Sequence, residues 1–151
     1  MALSASPLFA ASSTSPQTAN FNVNASVAKR CTITTAPADF NFGNYDPTAA
    51  TPLDAAVTSA FTIRCTKNTT ATITIAQPPM AAAGSPDNLV YALYTDAART
   101  NNWTTGSTYV STSAATNSVH DIYGRINAGQ DVATPTDPTN YTAVATLTVA
   151  Y

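Results

Sequence analysis

Apolar and polar residues alternate one for one in several separate stretches of this chain. A period of two is the pattern of a β-strand that buries one face and exposes the other. The first stretch is residues 21–27, where Asn22, Asn24 and Ser26 separate the apolar positions. The apolar members of the later stretches are Cys31 and Ile33; Phe61, Ile63 and Cys65; Ala71, Ile73 and Ile75; and Ala145, Leu147, Val149 and Tyr151. This recurrence predicts an all-β fold.

Two further strands are predicted without full alternation. Residues 89–94 form a continuous apolar run, and residues 122–126 form a short strand with Gly124 inside it. Pro or Gly beside Asn, Asp or Ser marks turns at 44–47, 77–79, 84–88 and 135–138. Only residues 96–99 are predicted to form a helical turn. Short strands with such turns, and no linker between them, predict one β-sandwich domain.

Composition supports this reading. Charged residues make up 9% of the 151 residues, and all eight acidic residues are Asp, so the helix former Glu is absent. A disordered chain is the alternative for so much Ser, Thr and Ala, but the 44% hydrophobic content argues against it. The net charge of −2, without a basic stripe, argues against nucleic-acid binding. No apolar run approaches the ~20 residues needed to span a bilayer.

The N-terminus has two readings. Residues 1–10 are mildly apolar, and residues 8–12 resemble the cleavage region of a signal peptide, although no charged region precedes them. A cloning scar or a flexible terminus fits equally well. We therefore describe residues 1–18 as a signal remnant or a flexible leader.

Cys31 and Cys65 are the two cysteines of the chain. Neither has a Cys or His neighbour at zinc-ligand spacing, so no metal and no cofactor is expected. In a protein that leaves the cytoplasm, a disulfide is the expected use of the pair. Two free buried thiols are the alternative.

Candidate catalytic residues are few. His120 and Asp121 allow a triad with a hydroxyl to be written on paper. However, neighbouring residues on a strand point to opposite faces, so Asp121 is not placed to orient His120, which we expect at a loop or strand start. Trp103 suits either sugar stacking or packing at a sheet end, and we expect packing. The chain is therefore predicted not to be an enzyme, and a secreted hydrolase is the weakest hypothesis.

A family resemblance covers residues 20–151. Its residues are the block 90–100 followed by Trp103, then 122–126 and 128–130, and the closing strand from Tyr141 to Tyr151. The first half contributes Cys31-Thr32-Ile33, residues 40–47 and Cys65. Together they resemble the spore coat protein U domain family, which includes the pilins of archaic chaperone–usher pili of the Csu type.

The resemblance implies an incomplete immunoglobulin-like β-sandwich with six strands of its own. The seventh is supplied in trans by a neighbouring subunit. A periplasmic chaperone first fills the gap, and at the outer-membrane usher the N-terminal strand of the next subunit replaces it. The implied protein is exported through the periplasm to the cell surface and forms a pilus, with a homopolymer expected.

On this reading the chain divides into residues 1–18, a donor segment at 19–28 and the pilin-like domain at 29–151. The donor side chains are Phe21, Val23, Ala25 and Val27. The edge strand beside the gap carries Leu147, Val149 and Tyr151. The alternative for the donor segment is an ordinary first strand paired within its own subunit.

Two functional classes stay open. The first is a structural fibre subunit that supports adhesion or biofilm formation. The second is a binding module on the same fold, either a pilus-tip adhesin or a monomeric surface or spore-coat domain. A donor segment in a single-domain chain favours the fibre subunit, because tip adhesins carry an extra ligand-binding domain and lend no strand.

Overall fold

The computed structural model describes residues 15–16, 18–134 and 140–151, and none of them lies in a helix. The predicted all-β class is confirmed. The strands are β1 (Cys31–Thr35), β2 (Leu53–Cys65), β3 (Thr70–Ala76), β4 (Met80–Ala81), β5 (Asn88–Leu89), β6 (Ala92–Tyr94), β7 (Ser107–Val110), β8 (Ser118–Ile126) and β9 (Thr146–Ala150).

The strands form two main antiparallel sheets. One has the order β1-β2-β8-β6 and the other β7-β3-β9, while β4 and β5 form a small ribbon. An immunoglobulin constant-type sandwich packs strands A, B, E and D against C, F and G. In that order β1, β2, β8 and β6 take the places of A, B, E and D, and β3 and β9 take those of C and F. Within the described residues, the place of G beside β9 is empty.

Alternation along the strands decides which side chains form the core. Phe61 and Ile63 of β2, and Ala71 and Ile73 of β3, are fully buried between the two sheets. Trp103 is 1% exposed, and its ring lies 5.6 Å from that of Phe61. Packing is therefore the role of this tryptophan, and its face is not available to a sugar.

Strand β2 is longer than the sequence predicts. It begins at Leu53, eight residues before the alternation at Phe61, and its pairing with β8 shifts register between Val57 and Phe61. Within that shift Ser59 has a φ of 53°, and its N–H donates to the Asp121 carboxylate at 2.7 Å. The bulge interrupts the pattern, and alanines on either side of it weaken the apolar signal.

The apolar run 89–94 is not one strand but two, β5 and β6. Between them Val90 is 55% exposed, and its backbone is bonded to a side chain instead of a strand. The Val90 N–H donates to Gln130 Oε1 at 2.8 Å, and Gln130 Nε2 donates to the Val90 carbonyl at 2.7 Å. Strand β7 was not predicted either.

Residues 96–99 form a hydrogen-bonded turn and not a helix. The Arg99 N–H donates to the Asp96 carbonyl at 3.0 Å, and Arg99 has a φ of 58°. The Asp96 carboxylate accepts hydrogen bonds from the backbone N–H groups of Asn101 and Thr100, and these hold its pKa below the usual value. A carboxylate closing its own loop is typical of Asp in turns.

A disulfide joins Cys31 to Cys65, as the sequence predicts for an exported protein. The two cysteines are directly paired across β1 and β2. Just beyond them the Thr66 N–H donates to the Arg30 carbonyl at 2.8 Å, and the Arg30 N–H donates to Thr66 Oγ1 at 3.1 Å. The start of the domain is therefore held to the end of β2 by covalent and hydrogen bonds.

We expect the double variant Cys31→Ser, Cys65→Ser to lose about 3–4 kcal/mol of unfolding free energy, because the bond closes a loop of 34 residues in the unfolded chain. Urea denaturation of oxidised wild type, reduced wild type and the variant measures this. Reduced wild type should match the variant, and three coincident denaturation curves would show that the bond contributes no stability.

Candidate strand-binding groove

A groove of about 1140 Å³ runs along the sandwich where strand G is missing. Its floor is apolar and comes from both main sheets and the small ribbon: Ile75, Leu89, Leu93, Ile122 and Ile126. Burial raises the pKa of the Tyr91 hydroxyl, which also lines the groove and stays neutral. The floor is therefore apolar and uncharged, and its five aliphatic side chains are 1–5% exposed.

One wall of the groove is the irregular segment 37–47, which follows β1. Phe40 and Phe42 lie with ring centroids 4.9 Å apart, and Phe42 packs edge-on against Tyr91 at 5.9 Å. Tyr45 anchors the far end of the segment, because its hydroxyl donates to the Asn127 carbonyl and accepts from the Gln130 N–H, each at 3.0 Å. Sequence reasoning did not assign this wall, since its aromatic residues show no strand alternation.

Gly124 allows this wall to lie against β8. A Cβ atom added at Gly124 would lie 2.7 Å from ring carbons of both Phe40 and Phe42. Such a distance is below van der Waals contact, so the wall could not keep its position. The glycine inside the predicted strand 122–126 thus marks a close approach of two elements.

We expect Gly124→Ala to destabilise the domain by about 1–3 kcal/mol through overpacking against the two rings. Ala56→Val, on an exposed site of the neighbouring strand, is the matched control and should change stability by less than about 0.5 kcal/mol. Chemical denaturation compares the two. A Gly124→Ala protein as stable as wild type would mean that the wall moves aside at no cost.

The opposite wall is formed by residues 140–145 and β9. Leu147 lines the groove, Val149 packs against the core next to it, and Tyr151 lies beyond the end of the strand and is 60% exposed. Strand β9 pairs with β3 in an unbroken register. Its other edge pairs with no strand in the part of the chain that is described, so backbone donors and acceptors are open toward the groove.

The donor segment lies apart from this groove in the structure. Residues 18–30 form no strand, and every one of them is exposed. Phe21, Val23 and Val27 are 84%, 82% and 87% exposed, and Ala25 is exposed as well. The first strand paired within its own subunit, which the sequence left open, is not formed. Residues 1–14 and 17 of the leader lie outside the described residues.

Comparison with known proteins gives the family. The spore coat protein U domain model matches residues 17–148, almost the whole chain. The chain belongs to the spore coat protein U domain family. Protein U of Myxococcus xanthus is 33% identical over an alignment of 152 residues, and the match covers 87% of this chain and 84% of that protein.

Among solved structures, the chain matches the chaperone–tip adhesion subunit pre-assembly complex CsuC–CsuE from the archaic chaperone–usher Csu pili of Acinetobacter baumannii. The match has 18% identity and a TM-score of 0.44, and it covers 83% of this chain. The chain spans 40% of the matched chain's length.

In this spore coat protein U domain His120 lies within β8 and not at its start. Its ring stacks on Phe61 at 5.0 Å, and its Nε2 is 3.0 Å from Ser118 Oγ. Asp121 faces elsewhere: its carboxylate accepts from Ser59 N–H at 2.7 Å and from the Tyr123 hydroxyl at 3.2 Å. A catalytic triad is therefore not formed: the Ser118 hydroxyl contacts His120, but the Asp121 carboxylate is bonded to other groups.

The described residues of the domain hold no group of three His, Cys, Asp or Glu side chains that could bind a metal ion. Across ranges 18–134 and 140–151, the structure has no helix long and apolar enough to cross a membrane.

Burial lowers the pKa of His120 from 6.5, and the nearby Asp121 only partly opposes this. The unfolded chain then binds a proton more readily than the folded one, so stability falls as the pH drops below about 6.5 toward the folded-state pKa. Because His120 is the single histidine, His120→Gln should remove the slope between about pH 5 and 7. Urea denaturation across this range tests it, and an unchanged slope in the variant would assign the effect to another group.

Proposed function

We propose that this protein is a structural subunit of a bacterial surface fibre, and that the donor segment of one copy fills the groove of the next. The observation that carries the proposal is that one chain contains both a strand that could be donated and a site that could accept it. It has an exposed apolar segment of period two, and it has a sandwich that lacks one strand beside an open edge.

The apolar side chains of the donor segment and those of the groove are complementary in chemistry. Phe21, Val23, Ala25 and Val27 lie on one face of an extended chain, and the groove floor is formed by aliphatic side chains from both sheets. Burying the three larger side chains and the alanine is worth about 5–8 kcal/mol, at roughly 1.5–3 kcal/mol for each fully buried large side chain. A shift of one residue would turn all four outward, so the pattern also sets the register.

The backbone of the donor segment and the free edge of β9 are complementary as well. An inserted strand would pair with the free edge of β9, and each main-chain hydrogen bond would add a net ~0.5–1.5 kcal/mol. Until then that edge is a template for unspecific pairing. Donor-strand addition uses the same edge for specific assembly, with main-chain bonds for affinity and alternate side chains for selectivity.

The partners follow from the open groove. Before assembly the apolar floor needs a cover, and a periplasmic chaperone is the partner proposed for that step. An outer-membrane usher then catalyses the exchange between identical or related subunits, and the fibre at the cell surface serves adhesion or biofilm formation. The support for these partners is the family membership and the resemblance in sequence to chaperone–usher pilins.

We expect Val23→Asp to abolish fibre formation, because an unpaired carboxylate in an apolar groove costs several kcal/mol. Asn24→Asp is the matched control, since it adds the same charge on the alternate face of the segment. Electron micrographs and light scattering of the exported proteins compare both variants with wild type.

In this experiment Asn24→Asp and wild type should form fibres of equal length. Fibres from Val23→Asp would place the inserted side chains elsewhere. Absence of fibres from wild type would leave the monomeric binding module as the function.

A further inference from the structure

Charge is unevenly distributed along this molecule. Two of its six basic residues, Arg99 and Arg125, pair with Asp54 at 3.3 and 2.7 Å. The other four are exposed and lie together at the end of the sandwich that carries the disulfide: Lys29, Arg30, Arg64 and Lys67. We call these four residues the basic pole.

The β1–β2 ladder holds the basic pole together. Arg64 lies opposite Thr32 on β1, one residue from the Cys31–Cys65 pair. Arg30 is bonded through its backbone to Thr66, which directly precedes Lys67. The donor segment ends at this pole, because it runs into Lys29 and Arg30.

Four aspartates lie around the groove at the opposite end. Asp39 lines the groove itself, and Asp46 follows the groove-lining Tyr45. Asp87 accepts the N–H of Ala133, another lining residue, at 2.8 Å. Asp131 directly precedes the lining residue Val132. We call Asp39, Asp46, Asp87 and Asp131 the acidic rim, and none of them has an ion pair within the described residues.

The basic pole and the acidic rim are separated by the length of β2. That strand runs from Leu53, which pairs with Ile126 near the rim, to Cys65 at the pole. At about 3.3 Å per residue its 13 residues span roughly 40 Å. Over that distance an exposed pole and rim of one copy scarcely interact in physiological salt, since the Debye length is about 8 Å.

Two copies can bring these surfaces into contact. All strand pairs of both sheets are antiparallel, and an antiparallel strand beside β9 would place its C-terminal end next to Thr146. Residue 146 pairs with Ala76 at the rim end of β3. With residues 21–27 inserted, only Ala28 separates Val27 from Lys29. The first cation of the pole then lies within a few ångströms of the groove mouth.

We propose that the basic pole of one copy docks on the acidic rim of the next, and that this contact orients the subunits before the donor strand inserts. The inference rests on the proposed function and adds the direction in which the donor segment inserts beside β9. A parallel insertion would instead bring Lys29 and Arg30 to the Ala150 end of β9, beside the neighbour's own basic pole. Attraction at the rim and repulsion at the pole therefore favour the same antiparallel arrangement.

The experiment moves charge without changing the donor segment, and its relocation and fourfold variants keep the wild-type net charge. In the relocation variant Arg64→Gln, Lys67→Gln, Ala97→Lys, Ala98→Lys, two cations move from the pole to an exposed turn. Two charge-reversal variants are also made. One carries Arg64→Glu and Lys67→Glu, and the other carries Asp39→Lys and Asp131→Lys. A third chain carries all four reversals and has the wild-type net charge. Initial assembly rates of the full-length proteins are measured by light scattering.

At low salt the relocation variant and each single reversal should assemble about tenfold more slowly than wild type, and the fourfold reversal should recover most of that rate. The differences should vanish as NaCl rises from about 20 to about 500 mM, because the pairs are exposed. Equal rates for wild type and the relocation variant would overturn the charge docking while their fibres support strand exchange. No fibres from wild type would overturn both.

Discussion

The gap left by the absent strand G is the constraint on which the other features of this domain depend. Backbone N–H and C=O groups beside a buried apolar surface need partners, and a sandwich whose last sheet ends at β9 leaves one row of them open. The neighbouring groove is apolar: Ile75, Leu93 and Ile126 form a floor that is only 1–3% exposed, and Val144 of the wall is 83% exposed. Both deficits have the same remedy, an apolar strand of period two. The exposed segment ahead of Cys31 has that pattern, and no other stretch outside the strands of the described chain alternates over seven residues.

The rest of the domain is built so that this gap can persist in a folded protein. Phe61, Trp103 and Ile73 are almost completely buried in the core and do not line the groove. Beside the groove, the hydrogen bonds of the Tyr45 hydroxyl with Asn127 and Gln130 anchor the aromatic wall to the residues after β8. The basic pole and the acidic rim lie at opposite ends of β2, so the two ends of the domain differ in charge.

Sequence pattern predicted the elements that bury one face continuously. Strands β3 and β9 follow from alternation, the last five residues of β8 were predicted as a short strand, and the disulfide follows from the compartment of an exported protein. The pattern failed where side chains replace ladder bonds. Ser59 bonds Asp121 within the β2 bulge, and Gln130 bonds Val90 where the apolar run divides. The aromatic wall has no period, because Gly124 and not a strand pairing decides its place. The acidic rim cannot be predicted from the sequence, since only folding brings residues 39, 87 and 131 to the same groove.

The position of the disulfide bears on how a fibre of the proposed kind would carry load. A pull on the donor segment reaches the domain at Arg30 and Cys31, at the start of an edge strand with few pairs. An edge strand alone would peel away one hydrogen bond at a time. The bond to Cys65 passes the load directly to β2, which is paired on both sides and has the longest ladder in the molecule. The covalent link therefore lies where residues 18–30 join the domain, and it reinforces an edge strand that pairs with β2 alone.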